Sequence, residues 1–219
     1  TNTDTAQVPT YEFTGKVAFS DDTVANAENL QIQMCSVACT LGLFDEDGSF
    51  SFPTLKADTY ALKIVPLVDD SYATPLNFVT ISEETGNVEY EDTIIVNSYL
   101  QETQLETTEF DAGDGLFIEL DPNHYDPAYG TEEGAPISSL PIAPEETGLP
   151  FHLVDGEILK LWFIGPFDAK VEGWSFRIEG LELPAGTELQ LYNADPHEVE
   201  WIDLGMVTVD ENGEIQSND

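Results

Sequence analysis

Positive charge is what this sequence has least of: six Lys and Arg stand against 43 Asp and Glu in 219 residues, a net charge of −37. Those six, Lys16, Lys56, Lys63, Lys160, Lys170 and Arg177, are scattered singly. With no basic patch to meet a phosphate backbone or an anionic bilayer, nucleic acid and acidic lipid surfaces are not expected partners. A cation, a basic protein or a neutral glycan is compatible with the charge. Long apolar runs are also missing, and none approaches the ~18 residues that a membrane-spanning segment needs. Histidine is limited to His124, His152 and His197, and no Gly-x-Ser-x-Gly, His-Glu-x-x-His or Cys-x-x-Cys occurs. The usual apparatus of serine hydrolases, thiol proteases and zinc enzymes is therefore absent, and the expectation is a non-catalytic chain without a resident cofactor. Carboxylates are so abundant that no pair stands out as a glycosidase dyad, and the βα alternation of a barrel glycosidase is lacking.

What is present favours folding over disorder. Hydrophobic residues make up 41% of the chain and aromatics 11%, more apolar content than a disordered acidic chain carries. The acidic groups then read as a solvated surface that keeps the protein dispersed, best tolerated in a salty medium that screens their repulsion. The length suits two domains of roughly 100 residues each.

The two cysteines, Cys35 and Cys39, lie in Cys-Ser-Val-Ala-Cys. A turn brings such a pair within disulfide reach, whereas one extended strand does not. So small a ring constrains the unfolded chain by only ~2 kcal/mol, enough to pin a local turn rather than hold a fold. The spacing and the lack of an adjoining His or Lys argue against a redox thiol. A disulfide, together with a start at Thr1-Asn2-Thr3-Asp4-Thr5 that reads as a mature or trimmed product, gives the expectation of a secreted or cell-surface protein, lipid-anchored in one version and periplasmic in the alternative.

Period-two alternation runs through both halves. Tyr11, Phe13, Gly15, Val17 and Phe19 alternate with Glu12, Thr14, Lys16 and Ala18. Leu30, Ile32 and Met34, then Phe50 and Phe52, then Tyr60, Leu62 and Ile64 do the same, and residues 76–81 and 93–96 are β-rich. In the second half the strand signals are Leu116, Phe117, Ile118 and Leu120, followed by residues 158–163, 173–181, 187–192 and 201–209. No stretch of similar length has helical periodicity, so the expected class is all-β, two antiparallel β-sandwich domains in tandem.

The expected boundaries are a polar lead over 1–8, a first sandwich over 9–100, an acidic linker over 101–109 and a second sandwich over 110–219. A segment with six prolines, 121–150, reads as a long surface loop. Asp210-Glu211-Asn212-Gly213-Glu214-Ile215 reads as a hairpin turn. Its returning strand is either very short or continued beyond residue 219.

The run from Phe44 to Val65 resembles the core of carboxypeptidase regulatory-like and transthyretin-like sandwiches. In that superfamily an Asp-x-x-Gly-x-Phe-x-Phe turn and strand precede Leu-x-x-Gly-x-Tyr-x-Leu-x-Val. Asp45, Gly48, Phe50, Phe52, Leu55, Tyr60, Leu62 and Ile64 fall at matching positions, while Ala57-Asp58 stands where the family has glycine. The resemblance covers about residues 9–100 and implies a non-catalytic accessory sandwich; the second half resembles no family securely. The same residues have a physical reading, with Gly48 taking positive φ in a turn and Phe50, Phe52, Tyr60 and Leu62 entering a core.

Two site hypotheses concern the proline-rich segment. Asp121, Asn123 and Asp126 are candidate calcium ligands, since prolines fix the turn that would converge their oxygens. Tyr125 and Tyr129 are candidate glycan-stacking residues, being hard to bury there. Asp45-Glu46-Asp47-Gly48 resembles the start of a calcium loop but lacks the later bidentate Glu, so it reads as a turn. Trp162, Trp174 and Trp201 sit in strand patterns and read as core. The functional expectation is binding, spacing or assembly at the cell envelope. A calcium-dependent or glycan-binding module and a subunit of an extracellular homopolymer are the alternatives.

Overall fold

The computed structural model describes residues 8–21, 23–67, 72–98, 101–103, 109–121, 125–126, 137–141, 143, 157–165, 170–171, 173–195 and 198–217, and all regular structure among them is β. The first eight strands are β1 (Tyr11–Phe19), β2 (Leu30–Cys35), β3 (Cys39–Leu41), β4 (Leu43–Phe44), β5 (Ser49–Leu55), β6 (Asp58–Pro66), β7 (Leu76–Ile81) and β8 (Val88–Val96). They form two four-stranded sheets, ordered β4-β5-β1-β8 and β3-β2-β6-β7. Alternating residues of both sheets meet in one core that includes Phe13, Val17, Ile32, Met34, Phe52, Leu62, Ile64 and Ile94. This is the sandwich that the period-two signal predicts.

Its centre is aromatic. Phe13 and Phe50 have ring centroids 5.9 Å apart, and Phe50 and Phe52 meet edge to face at 6.1 Å. The Phe50 ring lies so close to Gly15 that a Cβ there would come within 2.7 Å of it. The turn feeding β5 is closed by the Asp45 N–H donating to the Ser49 carbonyl at 2.9 Å. In that turn Gly48 has φ +83°, and a Cβ on it would stand 2.5 Å from the Val17 carbonyl oxygen. Asp45 and Gly48 lie in this turn, and Phe50, Phe52, Tyr60 and Leu62 lie in the core.

One pairing departs from the antiparallel expectation. β1 and β8 run parallel, from Phe13 opposite Val88 to Phe19 opposite Val96. Parallel neighbours need a long crossover. Here the chain supplies it by passing to the opposite sheet for β2 and β3, returning for β4 and β5, and crossing again for β6 and β7 before β8 arrives beside β1.

The second half contains β9 (Gln101–Thr103), β10 (Glu109–Gly113), β11 (Leu116–Glu119), β12 (Tyr125–Asp126), β13 (Ile137–Pro141) and β14 (Trp162–Gly165). β15 (Lys170–Val171), β16 (Ser175–Ile178), β17 (Glu188–Asp195), β18 (Glu200–Thr208) and β19 (Ile215–Gln216) complete it. A sheet ordered β10-β11-β16-β19, a sheet ordered β14-β13-β9, a β17–β18 ribbon and a short β12–β15 pair result. Their core includes Phe110, Leu116, Ile118, Ile137, Ile178, Val209 and Ile215.

Two sequence expectations are corrected here. Within 121–150, expected as continuous loop, Ile137–Pro141 forms the central strand of the three-stranded sheet. Pro136 and Pro141 bracket Ile-Ser-Ser-Leu rather than interrupt it, which leaves these four residues their N–H donors. Gln101–Thr103, expected to begin the linker, pairs with this strand as β9. The turn at Asp210 is present, with its carboxylate accepting from the N–H groups of Asn212 and Glu214 at 2.8 and 2.9 Å. These bonds, that of Glu214 first, hold the Asp210 carboxyl below the usual Asp range. The strand that follows pairs with β16 rather than folding back on β18.

The β17–β18 ribbon joins the two halves. Leu189, Leu191 and Val207 pack on the second core. At its other end Ala194, Val199 and Trp201 pack on Cys35, Ala61, Leu76 and Phe78 of the first sandwich, with Trp201 meeting Phe78 edge to face at 5.7 Å. β6 is consequently buried on both faces from Tyr60 to Ile64, where alternation alone predicts one wet face.

Two outcomes are expected from mutation. Phe52→Ala removes a ring that is fully buried and lowers unfolding free energy by about 3–5 kcal/mol in denaturant titrations. Trp201→Ala speeds amide exchange in residues 76–78 and 194–201 together while leaving β1 and β5 protected. Unchanged exchange at 76–78 would show that the ribbon does not brace the first sandwich.

Candidate functional site

The most chemically distinctive surface lies along one side of the first sandwich, where the chain turns back at the cysteines and then changes sheets. Cys35 and Cys39 face each other as the last pair of the β2–β3 hairpin, Cα atoms 3.9 Å apart, and are joined as a disulfide. The Ser36 N–H donates to the Ala38 carbonyl at 3.3 Å, and Val37 stands at the tip fully exposed. Cys35 is buried against the ribbon contact and Cys39 is exposed, so the bridge ties an outer strand to an anchored one.

From Leu41 the chain passes through Gly42 into β4, leaving one sheet for the other. The Gly42 N–H donates to the Ile32 carbonyl at 2.9 Å. A Cβ on Gly42 would fall 2.9 Å from the Phe52 ring, so the chain hugs the core at a place no larger residue fits. β3 and β4 are each the outermost strand of their sheet. Because Gly42 turns its N–H toward β2, the antiparallel alternation directs the main-chain groups of Leu41 and Cys39 away from the sheet. Beside them Leu41 is 54% and Leu43 62% exposed.

At the end of β4 an open depression of about 340 Å³ is lined by Asn26, Ala27, Glu28, Phe44, Asp45 and Glu46. Its wall is shaped by Asn26, whose side-chain oxygen accepts from the Glu28 N–H at 2.8 Å and whose own N–H donates to Asn29 Oδ1 at 2.9 Å. Glu28, Asp45 and Glu46 form no ion pair among the described residues, whereas neighbouring Asp47 lies 3.6 Å from Lys16. Hydrogen bonding from Ser49, aided by Lys16, holds the Asp47 carboxyl below the usual Asp range. No group of three or more His, Cys, Asp or Glu side chains positioned to hold a metal occurs among the described residues.

Only some of the residues proposed from sequence fall among the described ones. Asp121 is exposed just after β11. Tyr125 and Asp126 form β12, opposite Val171 and Lys170. Asn123 and Tyr129, like all three histidines, lie outside the described residues. Of the tryptophans, Trp162 is half-buried and donates from Nε1 to the Gly113 carbonyl at 3.1 Å. Trp174, expected in the core, is 44% exposed and leans on Phe176, since its stretch of chain enters β16 only at Ser175. Arg177 lies over the Phe117 ring at 4.2 Å and pairs with Glu109 and Glu179. Burial, followed by the charge of Asp92, pushes the Tyr90 hydroxyl up to about 12, and burial likewise raises Tyr60, whose hydroxyl donates to the Lys56 carbonyl at 3.0 Å. Neither phenol is tuned to exchange protons near neutrality.

The β3–β4 edge contains no sequence motif. Its signal is compositional: between Glu28 and Asp45 not one residue is charged, in a chain with 43 acids. No helix among the described residues is long and apolar enough to cross a membrane.

No sequence-family model matches the chain, and no curated protein is significantly similar to it. Among solved structures it is similar to a DUF3823 family protein from Bacteroides ovatus, 19% identical with TM-score 0.30, over 50% of this chain and 54% of that one. A DUF3823 family protein from Bacteroides uniformis is 15% identical with TM-score 0.28, over 51% and 52%. The chain therefore spans about half the length of these two relatives. A further Bacteroides uniformis protein, provisionally described as carbohydrate binding, is 12% identical with TM-score 0.31, over 95% of this chain and 96% of its own.

Proposed function

We propose that this chain is a non-catalytic binding and assembly module that works outside the cytoplasm, at a cell surface. The observation that carries the reading is the Cys35–Cys39 bridge. One of its sulfurs belongs to an exposed residue, open to the thiol pool that keeps cytosolic cysteines reduced, and such a bridge is favoured in an oxidising compartment. Further support comes from the shape of the surface: an open edge and a shallow acidic bowl suit a macromolecule laid along the side of a sandwich better than a small substrate enclosed in a cleft. The Phe44–Val65 run, with its aromatic residues in the core, fits an accessory sandwich of the carboxypeptidase regulatory-like kind, which carries no chemistry of its own. In this reading the chain needs no cofactor, and the acidic exterior keeps nucleic acid and anionic membranes away.

A second reading is calcium-dependent or glycan binding by the 121–150 segment. It draws on an exposed Asp121 followed within a few residues by Asp126 in β12. The third, an extracellular homopolymer, requires strand exchange between copies that each carry a charge of −37, and their mutual repulsion works against it.

Two measurements separate these readings. Protein recovered from its own compartment in the presence of an alkylating agent is expected to take up no label before reduction and two labels after it. Recovery with both thiols already labelled overturns the extracytoplasmic placement. Thermal unfolding at fixed ionic strength is expected to give the same midpoint in millimolar calcium and in EDTA. A rise of several degrees with calcium alone favours the second reading.

A further inference from the structure

We propose that the β3–β4 edge is a strand-addition site for an extended segment of a partner protein in which apolar residues alternate with Lys or Arg. The proposal rests on the binding-module reading and gives it a place and a partner chemistry.

Four observations converge. The edge is open: β3 and β4 are outermost in their sheets, Cys39 and Leu41 turn their main-chain groups outward, and Val37, Leu41 and Leu43 are exposed beside them. Added strands bind through just such groups, with alternate side chains supplying specificity. The edge is short but carries neither of the two side-chain protections, charge and proline. Sheet edges are commonly protected by charge, Lys or Pro, and β8, the opposite edge of the first sheet, carries Glu89, Glu91 and Asp92. Between Glu28 and Asp45 there is neither a charge nor a proline.

The edge is held ready as well. β3 is only three residues long, and the disulfide fastens it to β2, whose Cys35 is anchored beneath the ribbon. A partner strand then meets a preformed template and does not have to order it. Finally, the surroundings specify charge. Phe44 of β4 leads into the bowl where Glu28, Asp45 and Glu46 have no ion pair among the described residues. A second copy of this chain would bring 43 more acids and six cations, so complementarity favours a basic strand over self-pairing.

The test uses synthetic peptides on the full chain. One capped peptide alternates Val with Lys, a second replaces Val by Pro at equal charge, and a third replaces Lys by Glu. The Val/Lys peptide is expected to bind about tenfold more tightly than the Pro/Lys peptide, the equivalent of one or two main-chain hydrogen bonds. It should slow amide exchange at Cys39 and Leu41, and the Val/Glu peptide should not bind. Leu41→Pro deletes an N–H that β2 does not use. It is expected to reduce Val/Lys affinity to the Pro/Lys level without moving the melting temperature, and Glu28→Gln with Glu46→Gln to weaken binding several-fold.

Equal affinity for Val/Lys and Pro/Lys peptides overturns the proposal, because charge attraction alone would account for it. Amide protection at a different edge also overturns it. So does a concentration-dependent dimer of the free chain that Leu41→Pro abolishes, which assigns the edge to a second copy. If Leu41→Pro alters the melting temperature, the wild-type exchange pattern decides. The alkylation result is independent of all of these, so loss of the edge site and loss of the extracytoplasmic reading are distinguishable.

Discussion

The first half of this protein is organised by two phenylalanine rings that need bare backbone to lie against. Phe50 sits over Gly15 of β1 and Phe52 over Gly42 between β3 and β4, each so close that a Cβ at the glycine would reach 2.9 Å or less from the ring. Close packing of this kind is unforgiving of added volume. β5 thereby fixes its neighbour on one side and the sheet-switching segment on the other. Because Gly42 must hug the core, the chain enters β4 with Leu41 and Leu43 displayed on either side of it. The exposed edge is thus a by-product of close packing between Gly42 and the Phe52 ring.

The parts of the fold legible in the sequence were those set by local chemistry. Phe50 and Phe52 alternate, Gly48 is the residue able to hold φ +83°, and a disulfide between cysteines four positions apart requires a reversal of the chain. What was not legible depended on distant partners. β6 has an alternating core face in Tyr60, Leu62 and Ile64, but nothing local says that Ala61 will be covered by a ribbon more than 100 residues later in the chain. Likewise Ile137–Leu140 was obscured by flanking prolines, although proline disturbs a strand only where its own donor is required. The parallel β8 could not be read at all, since direction of pairing is a property of topology.

The candidate site shows the same division. Acidic residues are so common here that a carboxylate pair carries little information in the sequence, and Asp121, Asn123 and Asp126 stand out only through the prolines beside them. The informative feature was a silence in the charge pattern around Val37, Leu41 and Leu43. In a chain this rich in acids, a neutral strand with exposed apolar side chains stands out as a patch.

The parallel β1–β8 pair also determines how this sandwich would carry load. The chain enters at the start of β1 and leaves at the end of β8, and the two strands lie side by side in the same direction. Tension applied through the entering and leaving chain therefore slides one strand along the other and strains the ladder from Phe13–Val88 to Phe19–Val96 as a unit, whereas a hairpin pulled open at its free end would lose its bonds one after another. A module tethered at one end and grasped at the other would be mechanically strongest in the direction in which it is pulled.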